Sequence, residues 1–179
     1  QAAVEQALAD AIATHPVANF GAVAVLDPRN GAVRALATWP TYDPKAFDPL
    51  RPDSAQAVSA LLNDPGQPLL NRATQGAYPA GSTFKLVTYA AALNSGLYTP
   101  DSRYSSTGSW NKLGDEFTKY DWLSSGHGTI SLRTALVVSC NSCFYDVGYT
   151  IDGTDNTLLP RIAREFGLGQ PTGIQGIAE

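Results

Sequence analysis

The sequence contains no methionine, no charged-then-apolar leader and no apolar run long enough to cross a bilayer, so it carries no visible targeting signal and is expected to be a piece of a longer chain. It also lacks a basic cluster. Lys45, Lys85, Lys112 and Lys119 are scattered, and 12 basic against 16 acidic residues leave a net charge of -4, which argues against nucleic acid as a partner. Internal repeats and low-complexity tracts are absent. The two cysteines, Cys140 and Cys143, match the CxxC spacing of thiol-disulfide chemistry, but no βαβ unit surrounds them. Small-residue packing or a local disulfide accounts for them better. No metal or cofactor is expected.

The chain has 179 residues, 44% of them hydrophobic, enough for one ordinary domain or two small subdomains. An amphipathic helix is predicted over the opening fifteen residues, ending before Pro16. Two β-rich runs follow, Ala22 to Leu26 and Ala32 to Trp39, and Asp27-Pro28-Arg29-Asn30-Gly31 between them has the chemistry of a tight reversal. Residues 1–40 thus read as helix and hairpin, and 41–77 as a connecting excursion with one short helix near Ser54 to Leu62. Residues 78–179 read as a mainly helical part: helices over Ser82 to Asn94, Ser131 to Ser139, Asn141 to about Ile151 and around "RIAREF", with a polar, aromatic loop from Tyr98 to Gly126. Two strands alone are marginal in water, so the strands completing the sheet are expected beyond Glu179 or in another chain.

The chemistry-bearing stretch is "YPAGSTFKLVTYAAAL". Ser82 and Lys85 stand three residues apart, neighbours on a helix, where lysine could take the serine's proton. Burial beside Phe84 and Leu86 and the positive end of the helix would both disfavour the ammonium, and the Ser82 N–H could help hold an oxyanion. An isolated SxxK has a blander reading, a capping serine and a snorkelling lysine. Ser109-Trp110-Asn111-Lys112 matches it too, in a loop. A second pair, Ser139 and Asn141, lies at a break between two helices and supplies a hydroxyl and an amide.

Together, "NRATQGAYPAGSTFK" and "HGTISLRTALVVSCNSCFYDVG" resemble the penicillin-binding protein transpeptidase family, whose SxxK and SxN motifs they carry in order. "GAVAVLDPRNGAVRALATWPTYDP" looks like that family's first hairpin, and Tyr78 and Leu86 resemble its monofunctional class B members. The resemblance implies a partial α+β fold of the penicillin-binding protein and serine β-lactamase type: the hairpin of the sheet plus the helical subdomain. It implies Ser82 as nucleophile, Lys85 as its base, Ser139 as proton relay and Asn141 as a substrate-binding amide. It also implies acyl transfer on D-Ala-D-Ala stem peptides of peptidoglycan, acylation by β-lactam antibiotics, the extracytoplasmic face of a bacterial membrane as location, with an anchor outside this chain, and partners in a cell-wall synthesis complex. The family's third motif, Lys-Thr/Ser-Gly, is absent from these residues, and Pro171-Thr172-Gly173 does not replace it. The missing C-terminal part of the domain is therefore an expected partner, and these residues alone are expected to turn over weakly or not at all.

Three other functions fit parts of the pattern. A serine β-lactamase or β-lactam sensor shares SxxK, but no glutamate here has asparagine four residues on, as class A deacylation needs. A non-catalytic scaffold would keep the fold without the chemistry. His127 invites a Ser/His/Asp triad, yet Lys85 already supplies a base, so His127 is read as ordering its loop.

Overall fold

Asn30 and Gly31 close the hairpin through local hydrogen bonds. In the computed structural model, which describes residues 1–176, strands β1 (Gly21–Leu26) and β2 (Val33–Trp39) pair antiparallel from Gly21 opposite Trp39 to Leu26 opposite Val33. The Gly31 N–H donates to the Asp27 carbonyl at 2.8 Å, and the Asn30 side chain accepts from the Ala32 N–H at 3.0 Å. The Asp27 carboxylate takes Arg29 and Arg34 at 2.8 and 2.9 Å, and these charge-assisted bonds hold its carboxyl well below the ordinary range. Helix α1 (Ala2–Thr14) packs Leu8 inward, while Gln1 bonds both backbone groups of Leu36.

The excursion contains a 3₁₀ turn (Pro44–Phe47), helix α2 (Ser54–Asn63) and a short helix α3 (Arg72–Gln75). Arg72 is buried, so its charge must be satisfied inside: it donates to the carbonyls of Gly66 and Gln67 at 2.6 and 2.8 Å and lies 4.8 Å over the Phe20 ring. These elements, Gln1–Tyr78 with the segment from Gly173, form one compact unit, and Pro79–Thr172 forms a second. The final three residues of the 78–179 portion lie outside the described residues.

The second unit opens with a 3₁₀ turn (Gly81–Phe84) running into helix α4 (Lys85–Asn94). The stretch after α4 departs from the expectation of a loop. Strands β3 (Arg103–Ser106) and β6 (Gly128–Ser131) pair antiparallel, and so do β4 (Ser109–Trp110) and β5 (Lys119–Tyr120). These strands are only two to four residues long and mostly polar, too short to show an alternating apolar signature. Helices α5 (Leu132–Val137), α6 (Asn141–Thr154) and α7 (Leu158–Glu165) follow. Ser131 caps α5, its Oγ accepting the Thr134 N–H at 3.1 Å.

The core of this unit joins Val87, Ala91 and Ala92 of α4 to Leu132 and Ala135 of α5, Phe144, Val147 and Ile151 of α6, and Leu158 and Ile162 of α7. It fixes the start of α4 against the start of α6, the two places where the sequence carries its motifs. Among the described residues, β1 and β2 make a two-stranded sheet of their own, and no helix is long and apolar enough to cross a membrane.

Candidate active site

Ser82 lies in the 3₁₀ turn, not in a continuous α-helix, and that sharpens the pairing with Lys85: at three residues per turn, side chains at i and i+3 eclipse. Lys85 Nζ is 3.2 Å from Ser82 Oγ. The packing of α4 on α6 brings the second motif to the same nitrogen, with the Ser139 carbonyl at 2.7 Å, Ser139 Oγ at 2.9 Å and Asn141 Oδ1 at 2.6 Å. Ser139 Oγ in turn donates to Ser82 Oγ at 3.0 Å. All four residues singled out from the sequence thus meet at one ammonium. An ammonium has three protons to donate and no lone pair, so four oxygen neighbours at this range require at least one proton to be shared between two acceptors.

Ser139 holds this position in a left-handed conformation, φ +56°, which side chains other than glycine, asparagine and aspartate rarely adopt. The break between α5 and α6 is therefore strained at the residue that faces Lys85. A cavity of about 380 Å³ opens beside the pair, walled by Phe84, Phe144, Tyr145 and Leu159, with the Phe144 ring centroid 6.0 Å from Nζ. Lys85 is only 9% exposed, and this burial pushes its pKa below the ordinary lysine value, against an opposing pull from the Asp121 carboxylate. The sign matters for chemistry: as pH rises through the lowered pKa, the amine becomes the free base below the range of a solvated lysine.

Residues 21–179 match the family model for the penicillin binding protein transpeptidase domain. The chain belongs to the penicillin-binding protein transpeptidase family. It is 42% identical over 153 residues to the peptidoglycan D,D-transpeptidase MrdA of Escherichia coli K12, covering 86% of this chain and 23% of that protein. It is 38% identical over 155 residues to the peptidoglycan D,D-transpeptidase PbpA of Mycobacterium tuberculosis, covering 84% of this chain and 31% of that protein. The penicillin G acyl-enzyme complex of penicillin-binding protein A from M. tuberculosis superposes with a TM-score of 0.80 at 35% identity, covering 93% of this chain and 38% of that one. The partial α+β transpeptidase fold expected from the sequence is thus the one observed, and the chain spans about a quarter to a third of the length of these curated relatives.

Other residues of this transpeptidase-family chain take different parts. Lys112 of the second SxxK match pairs with Asp146 at 2.5 Å, and Trp110 Nε1 donates to the same carboxylate at 3.0 Å, so that match is a structural clamp. His127 does not meet Ser82; its backbone N–H donates to Ser106 Oγ at 3.2 Å and its ring lies 5.4 Å from that of Trp122. Cys140 and Cys143 form a disulfide across the first turn of α6, and both are fully buried. Asp121, His127 and Cys140 place three donor atoms within 4.8 Å of one another, with the Cys140 sulfur bonded here to that of Cys143. Asp121 was not legible as a site residue, because its position depends on β5 reaching the start of α6 from 20 residues away in sequence.

Proposed function

We propose that the protein containing this chain is a serine-type peptidoglycan D,D-transpeptidase, with Ser82, Lys85, Ser139 and Asn141 as its working set. The observation that carries the reading is the convergence of the Ser82, Ser139 and Asn141 side chains on Lys85 Nζ in a member of the transpeptidase family. In this mechanism the free amine of Lys85 takes the Ser82 hydroxyl proton as Oγ attacks the carbonyl of the penultimate D-Ala. A tetrahedral oxyanion forms and collapses, the C–N bond to the terminal D-Ala breaks, and the departing nitrogen takes a proton from Ser139 Oγ. Lys85, within reach of both hydroxyls, replaces that proton. An amine of a neighbouring stem then attacks the ester, and the protons run back along the same path. Asn141 orients the substrate amide.

A β-lactam would be attacked in the same way and remain on Ser82. The relative's penicillin G acyl-enzyme supports this, and separately the disulfide beside the site suits an oxidising, extracytoplasmic compartment. Peptidoglycan lies in that compartment, where other cell-wall synthesis proteins would be the partners. The test is intact-mass spectrometry of the full-length gene product after incubation with a fluorescent penicillin. A single stable adduct on the wild type and none on Ser82→Ala is the expected result. An adduct that survives in Ser82→Ala would remove Ser82 from its role, and a wild type that never forms one would sink the transpeptidase reading in favour of a scaffold.

A further inference from the structure

Ser139 stands where a helix commonly ends on glycine. Its N–H donates to the Leu136 carbonyl at 3.2 Å, and the N–H of the next residue donates to the Ala135 carbonyl at 2.9 Å, the paired bonds of a Schellman cap closing α5. The residue of positive φ in that cap is usually glycine; here it is a serine whose hydroxyl lies 2.9 Å from Lys85 Nζ and 3.0 Å from Ser82 Oγ. The peptide plane between Val138 and Ser139 governs whether the serine keeps this conformation. A planar peptide turns as one body, so its rotation changes ψ of Val138, which is 1°, and φ of Ser139 together. Such a rotation releases the serine to negative φ and re-aims its hydroxyl. The N–H edge of the plane is held by Leu136, inside the cap. The C=O edge is outside the helix's own bonding, because the cap satisfies only the carbonyls of Leu136 and Ala135. The Val138 carbonyl accepts instead from the indole Nε1–H of Trp122, at 3.0 Å and 16 residues away in sequence. Trp122 is 65% exposed, so burial of its ring does not account for its place.

We propose that Trp122 is a positioning residue for the reaction at Ser82: its indole N–H pins the Val138–Ser139 peptide plane and so holds the Ser139 hydroxyl between Lys85 and Ser82. This rests on the transpeptidase reading of the site. Ser139 is thereby gripped through both of its peptide units, since Lys85 Nζ donates to its own carbonyl at 2.7 Å on the other side. The two grips differ in kind. Lys85 gains and loses protons in the reaction, and its hold on the Ser139 carbonyl changes with them. An indole N–H is a donor only and keeps its proton throughout, so the Trp122 bond is constant while the protons move. A serine in a conformation that costs energy persists only where its surroundings over-determine it, and Trp122 supplies the part of that constraint that comes from outside α5 and the reacting groups.

The test has two readouts in the full-length protein: acylation by a fluorescent penicillin, resolved into a binding constant and an acylation rate constant, and amide hydrogen exchange at Ser139. Trp122→Phe keeps an aromatic ring and removes the donor. Its acylation rate constant should fall ~3-fold to ~10-fold, the scale of one hydrogen bond, with the binding constant within about twofold of wild type. The Ser139 amide should exchange faster. The deciding comparison is a double-mutant cycle with Ser139→Ala, which removes the hydroxyl being positioned. In that background Trp122→Phe should have no further effect on the rate constant, because no hydroxyl is left to place. Equal losses in both backgrounds would make Trp122 merely structural and overturn the proposal, as would a Trp122→Phe protein with wild-type rate constant and wild-type Ser139 protection. Should Trp122→Phe not fold, Trp122→Met, which also lacks the donor, runs the same cycle. A wild type without an adduct would sink the transpeptidase reading instead, and exchange at Ser139 would still decide whether the indole holds the turn.

Discussion

Ser139 concentrates the site's demands on a single residue. Its hydroxyl lies between Lys85 Nζ and Ser82 Oγ, and its backbone occupies the left-handed region where a β-carbon is crowded. A strained conformation at a non-glycine residue costs on the order of 1–3 kcal/mol and persists where the surroundings enforce it. Stability and chemistry should therefore separate in Ser139→Gly. Glycine accepts φ +56° freely, so the melting temperature is expected to hold or rise, while β-lactam acylation falls by ~10²-fold or more through loss of the hydroxyl proposed as relay. Differential scanning fluorimetry beside acylation kinetics checks both halves. An acylation rate within about twofold of wild type would reject the relay, since general acid–base groups contribute far more than that.

At the scale of elements, two glycines have opposite meanings, and substitution should expose them. Gly126 sits between β5 and β6 at φ +72°, where a β-carbon would stand 2.3 Å from the Ser106 carbonyl oxygen. Gly126→Ala should cost ~2 kcal/mol or more. Gly153 lies within α6 with open space around its missing β-carbon, so Gly153→Ala should stabilise by up to ~1 kcal/mol, a rise of roughly 2–4 °C. Thermal melts of the two variants should move in opposite directions, and a shared sign would mean that one of the local environments is wrong. The elements also mark what could be read in advance. Asn30-Gly31 and the helical spacing of α6 are local signals, and each appears where expected; the helix expected over Ser131 to Ser139 is the shorter Leu132–Val137. The pairings of β3 with β6 and β4 with β5 are not local: they join segments up to about 28 residues apart through strands too short to carry a period, so nothing in the sequence announces them. Asp121 shares that fate, whereas Ser82 and Lys85 were legible because a single turn brings them together.

Across the whole molecule, burial is uneven in a way that should govern local stability. The helical unit centres on fully buried residues, among them Ala91, Ala135 and Ile151, which tie α4, α5 and α6 together directly behind Ser82 and Lys85. The hairpin unit buries Ala35 and Ala37 on β2 but leaves Val25, Leu26 and Val33 exposed, and among the described residues its sheet has two strands. A two-stranded sheet with little apolar cover opens easily, and amide exchange reports such local opening as low protection. In the 179-residue chain, amides of α4 and α6 should therefore exchange slowest, with β1 and β2 faster by an order of magnitude or more, about 1.4 kcal/mol of local stability per tenfold. The active-site turn should follow the helices, because its geometry is inherited from the α4–α6 contact. Hydrogen-exchange mass spectrometry with peptides covering Gly21–Trp39 and Lys85–Asn94 reads this directly. Hairpin protection equal to that of α4 would show that the sheet is stabilised by more than the contacts described, and would make the helical unit an insufficient account of what holds the site.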